Sequence, residues 1–375
     1  MNSRRTRGSY RTDSAGGKPA RAVISLFSGA GGLDLGLENA GFHTALCVER
    51  DADCRATLRH NRPDWNATDH GGGDIRAIST AQMLEESGLK VEGAALVVGG
   101  APCQPFSNIG SRAGTGSDDG TLFREFMRVV QGFRPKGFIF ENVAAITHSR
   151  HREVVEFLQS EGARLGYGVT VAVLNAADFG VPQKRLRMFA LGCRSGRAPS
   201  LPVPEFGAPD EGRQLGLKPW RTVGSAIMRI PKSRLGRPDN LCMQVSDLML
   251  RRYRCIRSGT RDNFKALPTQ LRPPCWRTGK HQGSDTFGRL LLDEPSVTIR
   301  TCGYHPMKGR YIHPTEHRGL NTAELARLQG FPDPWEFRTA SGRPNLSSIA
   351  RQIGNAVPPP LAAAIGRSML DSWRH

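Results

Sequence analysis

The stretch that most restricts the fold lies near the start of the chain. Ala22-Val23-Ile24-Ser25-Leu26-Phe27 is apolar and β-branched, and Ser28-Gly29-Ala30-Gly31-Gly32 follows it without a gap. Leu33 to Ala40 then reads as a helix that stops at Gly41. Strand, glycine turn and helix in that order open a nucleotide-binding βαβ unit. The glycines let a ligand press against backbone N–H groups at the helix N-terminus. The spacing differs from the dinucleotide pattern G-x-G-x-x-G, because Asp34 takes the place of the last glycine counted from Gly29. An acid there disfavours a pyrophosphate and suits a ligand with a cationic end.

Two further acids follow. The strand His43–Val48 ends in Glu49, about 20 residues past the first glycine, where an acid is placed to bind a ribose diol. A solvated strand end is the alternative. Asp74 follows the run Gly71–Gly73 and precedes Ile75, placed to accept from an adenine amino group. Glycine loop, Glu49 and Asp74 together describe an adenosine site without phosphates, and S-adenosylmethionine is the candidate.

A third strand, Ala94-Ala95-Leu96-Val97-Val98, is stopped by Gly99-Gly100. Pro102 and Pro105 then fix φ on both sides of Cys103. This puts one thiol on a stiff loop at the carboxyl end of a strand, where open α/β sheets bind ligands. A fixed approach suits a nucleophile; a buried small hydrophobe is the alternative. The glycine-rich stretch 110–120 reads as a lid. It leads into a helix with Leu122, Phe126, Val129, Val130 and Phe133 on one face. Gly137–Phe140 is another buried strand, tipped by Glu141. Arg185 and Arg187 share one side of a strand entering Met188–Leu191, positioned for a phosphate or a base oxygen, with solvated arginines as the competing reading.

The net charge of +18 points to a polyanionic partner. Between Glu211 and Asp285 there are 16 Lys and Arg against 5 Asp and Glu, a net +11 of that +18. Residues 194–215 are rich in Pro and Gly and read as a linker, and 216–285 as a small, loop-rich, basic second domain. Its arginines suit phosphates and guanine edges. The eight cysteines are scattered without a CxxC pair, so neither a metal site nor a disulfide framework is expected. No apolar run approaches the ~20 residues of a membrane helix. With no apolar leader at the start, a cytoplasmic chain is expected.

Taken in order, the motifs Phe27-Ser28-Gly29-Ala30-Gly31-Gly32, Gly100-Ala101-Pro102-Cys103-Gln104-Pro105-Phe106-Ser107, Glu141-Asn142-Val143, Gln183-Lys184-Arg185-Leu186-Arg187, Arg327-Leu328-Gln329-Gly330-Phe331-Pro332 and Gln352-Ile353-Gly354-Asn355-Ala356-Val357-Pro358-Pro359 closely resemble those of the bacterial DNA (cytosine-5)-methyltransferases. The resemblance runs from Val23 to about Met369, apart from the central variable segment. It implies an α/β fold: a Rossmann-like class I methyltransferase sheet with helices on both faces, plus a small loop-rich target-recognition domain. The implied layout is a disordered basic tail (1–20), a catalytic domain (21–198 and 349–375), a target-recognition domain (199–316) and a hinge segment (317–348). The implied reaction is methylation of C5 of a flipped-out cytosine in double-stranded DNA, with Cys103 adding to C6 and Glu141 holding the N3 edge. Arg187 is implied at the base O2 and Arg185 in support of the loop. The S-adenosyl-L-methionine pocket is implied at Phe27, Ser28, Gly29, Gly31, Gly32 and Leu33, with Glu49, Arg50, Asp74 and Ile75 from the next loops. Gly100, Pro102, Leu122, Asn355 and Ala356 complete it. A monomer is expected, and a cognate restriction endonuclease is the partner that the resemblance allows. The competing readings are a tRNA cytosine-5 methyltransferase of the same superfamily and a non-catalytic DNA-binding regulator.

Overall fold

A computed structural model of the chain describes residues 21–102, 120–147, 152–278 and 285–374. Cys103, the tail 1–20 and nearly all of the stretch read as a lid lie outside the described residues. Six strands, β1 (Ala22–Leu26), β2 (His43–Val48), β3 (Leu96–Gly99), β4 (Gly137–Val143), β5 (Gly168–Asn175) and β6 (Leu186–Cys193), form one sheet in the order β2-β1-β3-β4-β6-β5. Pairs among β1 to β4 are parallel, and β6 runs antiparallel to both β4 and β5. The order steps outward from β1 to β2 on one side and through β3 to β4 on the other. The crevice at the carboxyl ends of the strands therefore opens beside β1.

Each central strand is apolar on both faces, which is why the sheet is covered twice. Ile24, Leu26, Val97, Phe138 and Phe140 enter one core with Phe126 and Val130 of α4 (Gly120–Phe133). Val23, Leu96, Val98, Ile139 and Phe189 enter the opposite core with Leu33 and Leu37 of α1 (Gly32–Asn39). That second face is completed by a helix from the far end of the chain. Leu361, Ile365 and Met369 of α13 (Pro359–Ser372) share the core. A Cβ on Gly36 would strike Ala362 and the Pro359 carbonyl, so α1 and α13 are in backbone contact. The helices α2 (Ala52–Asn61), α3 (Thr80–Ser87) and α5 (Arg152–Arg164) complete the layers.

Beyond β6 the chain is mostly irregular. It holds the short helices α6 (Pro209–Gln214), α7 (Val223–Ile227), α8 (Lys232–Leu235), α9 (Asp247–Arg254) and α10 (Pro274–Arg277), and two-residue strands β7 (Phe206–Gly207) and β8 (Lys218–Pro219). Tyr253, Phe264, Trp276 and Phe287 build a separate small core, with Tyr253 and Phe287 stacked at 5.6 Å. With few ladders to pair main-chain carbonyls, arginines do so instead. Arg289, fully buried, donates to the carbonyls of Tyr253, Ile256, His313 and Glu316. Arg252 donates to Leu271, Arg272 to Leu267 and Lys265, and Arg277 to Arg272 and Gln270. Arg234 is buried against Asp239 at 2.8 Å. The reading of this segment's arginines as contacts for phosphate and guanine is corrected for Arg234, whose guanidinium is buried against Asp239, while Arg252, Arg272 and Arg277 are engaged by main-chain carbonyls.

After the irregular region, α11 (Thr322–Gln329) starts at a capping box formed by Asn321 and Glu324 and ends at Gly330 in the left-handed conformation. The helix α12 (Leu346–Asn355) then delivers the chain to α13. Leu325, Leu328, Ile349 and Ile353 from these helices pack with Leu58 and Trp65 beside α2. No helix among the described residues is long and apolar enough to cross a membrane.

Candidate active site

The carboxyl ends of β1 to β4 converge on a cavity of about 770 Å³. Sixteen of the residues expected in the site line it: Phe27, Ser28, Gly29, Leu33, Glu49, Arg50, Asp74, Ile75, Gly100, Pro102, Leu122, Glu141, Arg185, Arg187, Asn355 and Ala356. They come from eight separate segments.

At the β1–β2 side the anchor is Glu49. Its carboxylate accepts the Gly29 N–H at 2.7 Å through one oxygen and the Asp51 N–H at 2.7 Å through the other. Burial pushes this carboxyl above its ordinary range, and the Gly29 N–H and then Arg55 oppose that. Asp74 accepts from the Arg76 backbone and guanidinium, which holds its carboxyl below the usual range. Of the arginines on this side, Arg76 is thus paired with Asp74 and Arg351 with Asp51. Ile75, Leu122 and Phe27 add apolar walls. A fixed acid with unfilled lone pairs, a second acid, apolar walls and two of the arginines paired with carboxylates fit an adenosyl group better than a phosphate.

At the β4 side, Glu141 meets Arg187 of β6, the adjacent antiparallel strand. Arg187 Nε lies 3.0 Å from Glu141 Oε1. Burial raises the Glu141 carboxyl pKa, with Arg187 and then Arg185 pulling it back. Burial also lowers the Arg187 guanidinium pKa. Gly100 allows this geometry, because a Cβ there would sit 2.5 Å from Glu141 Oε2. Arg185 plays another part. Its guanidinium, lowered to about 9 by burial and then by repulsion from Arg187, donates to the carbonyls of Ile299, Gly354 and Ala356. It ties the end of α12 and the segment near Ile299 to the cavity.

Three expectations are corrected. Gly31 and Gly32 do not line the cavity. Gly31 has φ +78, and its missing Cβ makes room for Leu58 and Trp65; at Gly32 a Cβ would strike the Val357 carbonyl. Asp34 does not face a cationic ligand either. It is fully buried, accepts from Thr44 Oγ1 at 3.2 Å, and burial raises its pKa to about 6. Asn142, in the Glu141-Asn142-Val143 motif, has a positioning part that the sequence does not reveal. Its side-chain amide is buried and donates to the Ala101 carbonyl at 3.0 Å, tethering the segment that leads to Cys103. Arg351, Arg76 and Cys54 also line the cavity and were not anticipated. Arg351 lies three residues before Gly354 and four before Asn355, and that helical spacing from Asn355 is the signal that could have marked it.

The sheet order, the antiparallel β6 and the acid at the end of β2 define a Rossmann-like methyltransferase. The description C-5 cytosine-specific DNA methylase matches residues 21–371. The chain is 36% identical over 355 residues to the Type II methyltransferase M1.HphI of Haemophilus parahaemolyticus, over 92% of this chain and 86% of that protein. It is 32% identical over 358 residues to M.NgoFVII of Neisseria gonorrhoeae, over 96% and 88%. A solved structure of a candidate DNA modification methyltransferase encoded within an E. coli prophage shares the fold, with TM-score 0.67 and 22% identity over 95% of this chain and 100% of that one. The chain belongs to the C-5 cytosine-specific DNA methylase family.

Proposed function

We propose that the chain transfers a methyl group from S-adenosylmethionine to C5 of a cytosine extruded from a short duplex DNA site, through a covalent bond between Cys103 and C6. The observation that carries the reading is the Glu141–Arg187 pair in the same cavity as Glu49 and Pro102, the residue before Cys103. S-adenosylmethionine, when bound, supplies a methyl group activated on a sulfonium. It would be held by the Gly29 backbone, Glu49, Asp74, Ile75 and Leu122.

Cytosine C5 is too weak a nucleophile to react unaided. As the Cys103 thiolate forms its bond to C6, the C5–C6 π pair becomes available at C5. The buried Glu141 holds a proton at N3 and stabilises the charge that develops in the ring. Arg187 fixes that carboxyl and lies at the O2 edge, and its cation favours the thiolate. Once C5 carries the methyl group, loss of its proton and expulsion of the thiolate from C6 restore the C5–C6 double bond. Inside a duplex C6 is covered by stacking, so the base must leave the helix. The unit around Tyr253 and Phe287 reads the target, and one chain suffices for one site; an obligate dimer in sedimentation would contradict that.

The test is transfer of tritiated methyl groups to duplex DNA and to tRNA in parallel. Label in DNA at a short repeated sequence is expected. Label confined to tRNA would overturn the DNA reading, and cofactor binding without transfer to either would favour a regulator.

A further inference from the structure

Arg300 is an exposed cation beside the cavity that the mechanism above does not use. Its backbone is fixed from several directions. The Arg300 N–H donates to Tyr311 Oη at 3.3 Å, and its carbonyl accepts the Gly303 N–H at 2.9 Å. The preceding carbonyl, of Ile299, accepts from Arg185 at 2.9 Å. On the other side it abuts Gly354, where a Cβ would lie 2.5 Å from the Arg300 carbonyl carbon. Gly354 lines the cavity, so the Arg300 backbone packs on the cavity wall.

Most arginines of this region have internal partners. Arg234, Arg257 and Arg261 pair with carboxylates, and Arg252, Arg272 and Arg289 donate to carbonyls. Among the described residues no carboxylate lies within ion-pair distance of Arg300. A base that enters the cavity brings its flanking phosphodiesters to the rim. An arginine on a fixed backbone there, with no carboxylate partner among the described residues, has the charge and reach to hold one.

We infer that Arg300 contacts a backbone phosphate of the target strand next to the extruded nucleotide and so sets the register of DNA on the cavity. The inference rests on the DNA reading above. The test compares wild type, Arg300→Ala and Arg300→Lys on plasmid DNA, with Arg374→Ala as a control for loss of an exposed charge. Arg300→Ala should raise the KM for DNA about tenfold. It should leave kcat and S-adenosylmethionine affinity unchanged and reduce the slope of log KM against log salt by about one. Arg300→Lys should restore the slope and part of the KM. A KM and slope unchanged in Arg300→Ala beside an active wild type would overturn the inference alone. So would equal losses in Arg374→Ala, or a fall in kcat and cofactor affinity at unchanged slope. Wild-type protein that methylates no DNA would overturn the underlying reading and this inference with it.

Discussion

At Gly100 one hydrogen stands where a side chain would meet the Glu141 carboxylate. Gly100→Ala is expected to displace that carboxylate by a few tenths of an ångström or more. A misplaced catalytic group of that kind costs about 10²-fold in rate. The expected result is a comparable drop in kcat with near-normal cofactor binding, read by methyl transfer and calorimetry. Asp34 makes a prediction of the opposite sign. Its pKa is raised to about 6 from 3.8, so the folded state binds a proton more readily than the unfolded chain. Stability is then highest below the unfolded value and is lost as pH rises from about 4 through about 6, a change of order 3 kcal/mol. Asp34→Asn removes the buried charge and keeps an acceptor for Thr44. It should raise the urea midpoint at pH 7.5 and flatten the dependence between pH 4 and 6; a lower midpoint at pH 7.5 would contradict this. Glu141 and Glu49 were legible because an acid ending an apolar strand is a local pattern. Asp34 was misread because a helix first turn looks the same whether it faces a ligand or the Ser25 and Thr44 strands beneath it.

The strands bordering the cavity, β1 to β4, could all be read from β-branched runs stopped by glycine or by an acid. The Asn321 and Glu324 capping box that starts α11 is a local pattern of the same kind. The helices α2, α3 and α12 were not read, since their buried positions are few or interrupted by polar residues such as Gln352, which hydrogen-bonds Thr57 across the core. Contact between α1 and α13 was hidden for another reason. Gly36 serves a neighbour more than 320 residues away in sequence, and nothing local marks it. Gly36→Ala forces the two helices apart or strains them, and should lower stability by about 1–3 kcal/mol in urea unfolding. Wild-type stability in that variant would mean the close approach is not required.

The charge of the whole molecule is the place where sequence and structure differ most. A net +11 between Glu211 and Asp285 reads as a surface for a polyanion, yet many of these arginines hold together a unit with few sheet ladders. Their carbonyl partners are dispersed along the chain, which composition does not reveal. DNA affinity should therefore fall with salt, but with a slope well below one counterion per basic residue of the segment. Titration between about 50 and 300 mM salt measures it; a slope near −14, the value for all 16 cations at about −0.9 each, would show that the internal pairs open on DNA. The central claim is tested most directly by conversion sequencing of DNA from cells expressing the chain, beside a Cys103→Ala control. The account predicts cytosines protected in one short motif and unprotected in the control. Protection that persists in the control, or no protected motif from a folded, cofactor-binding protein, would contradict it.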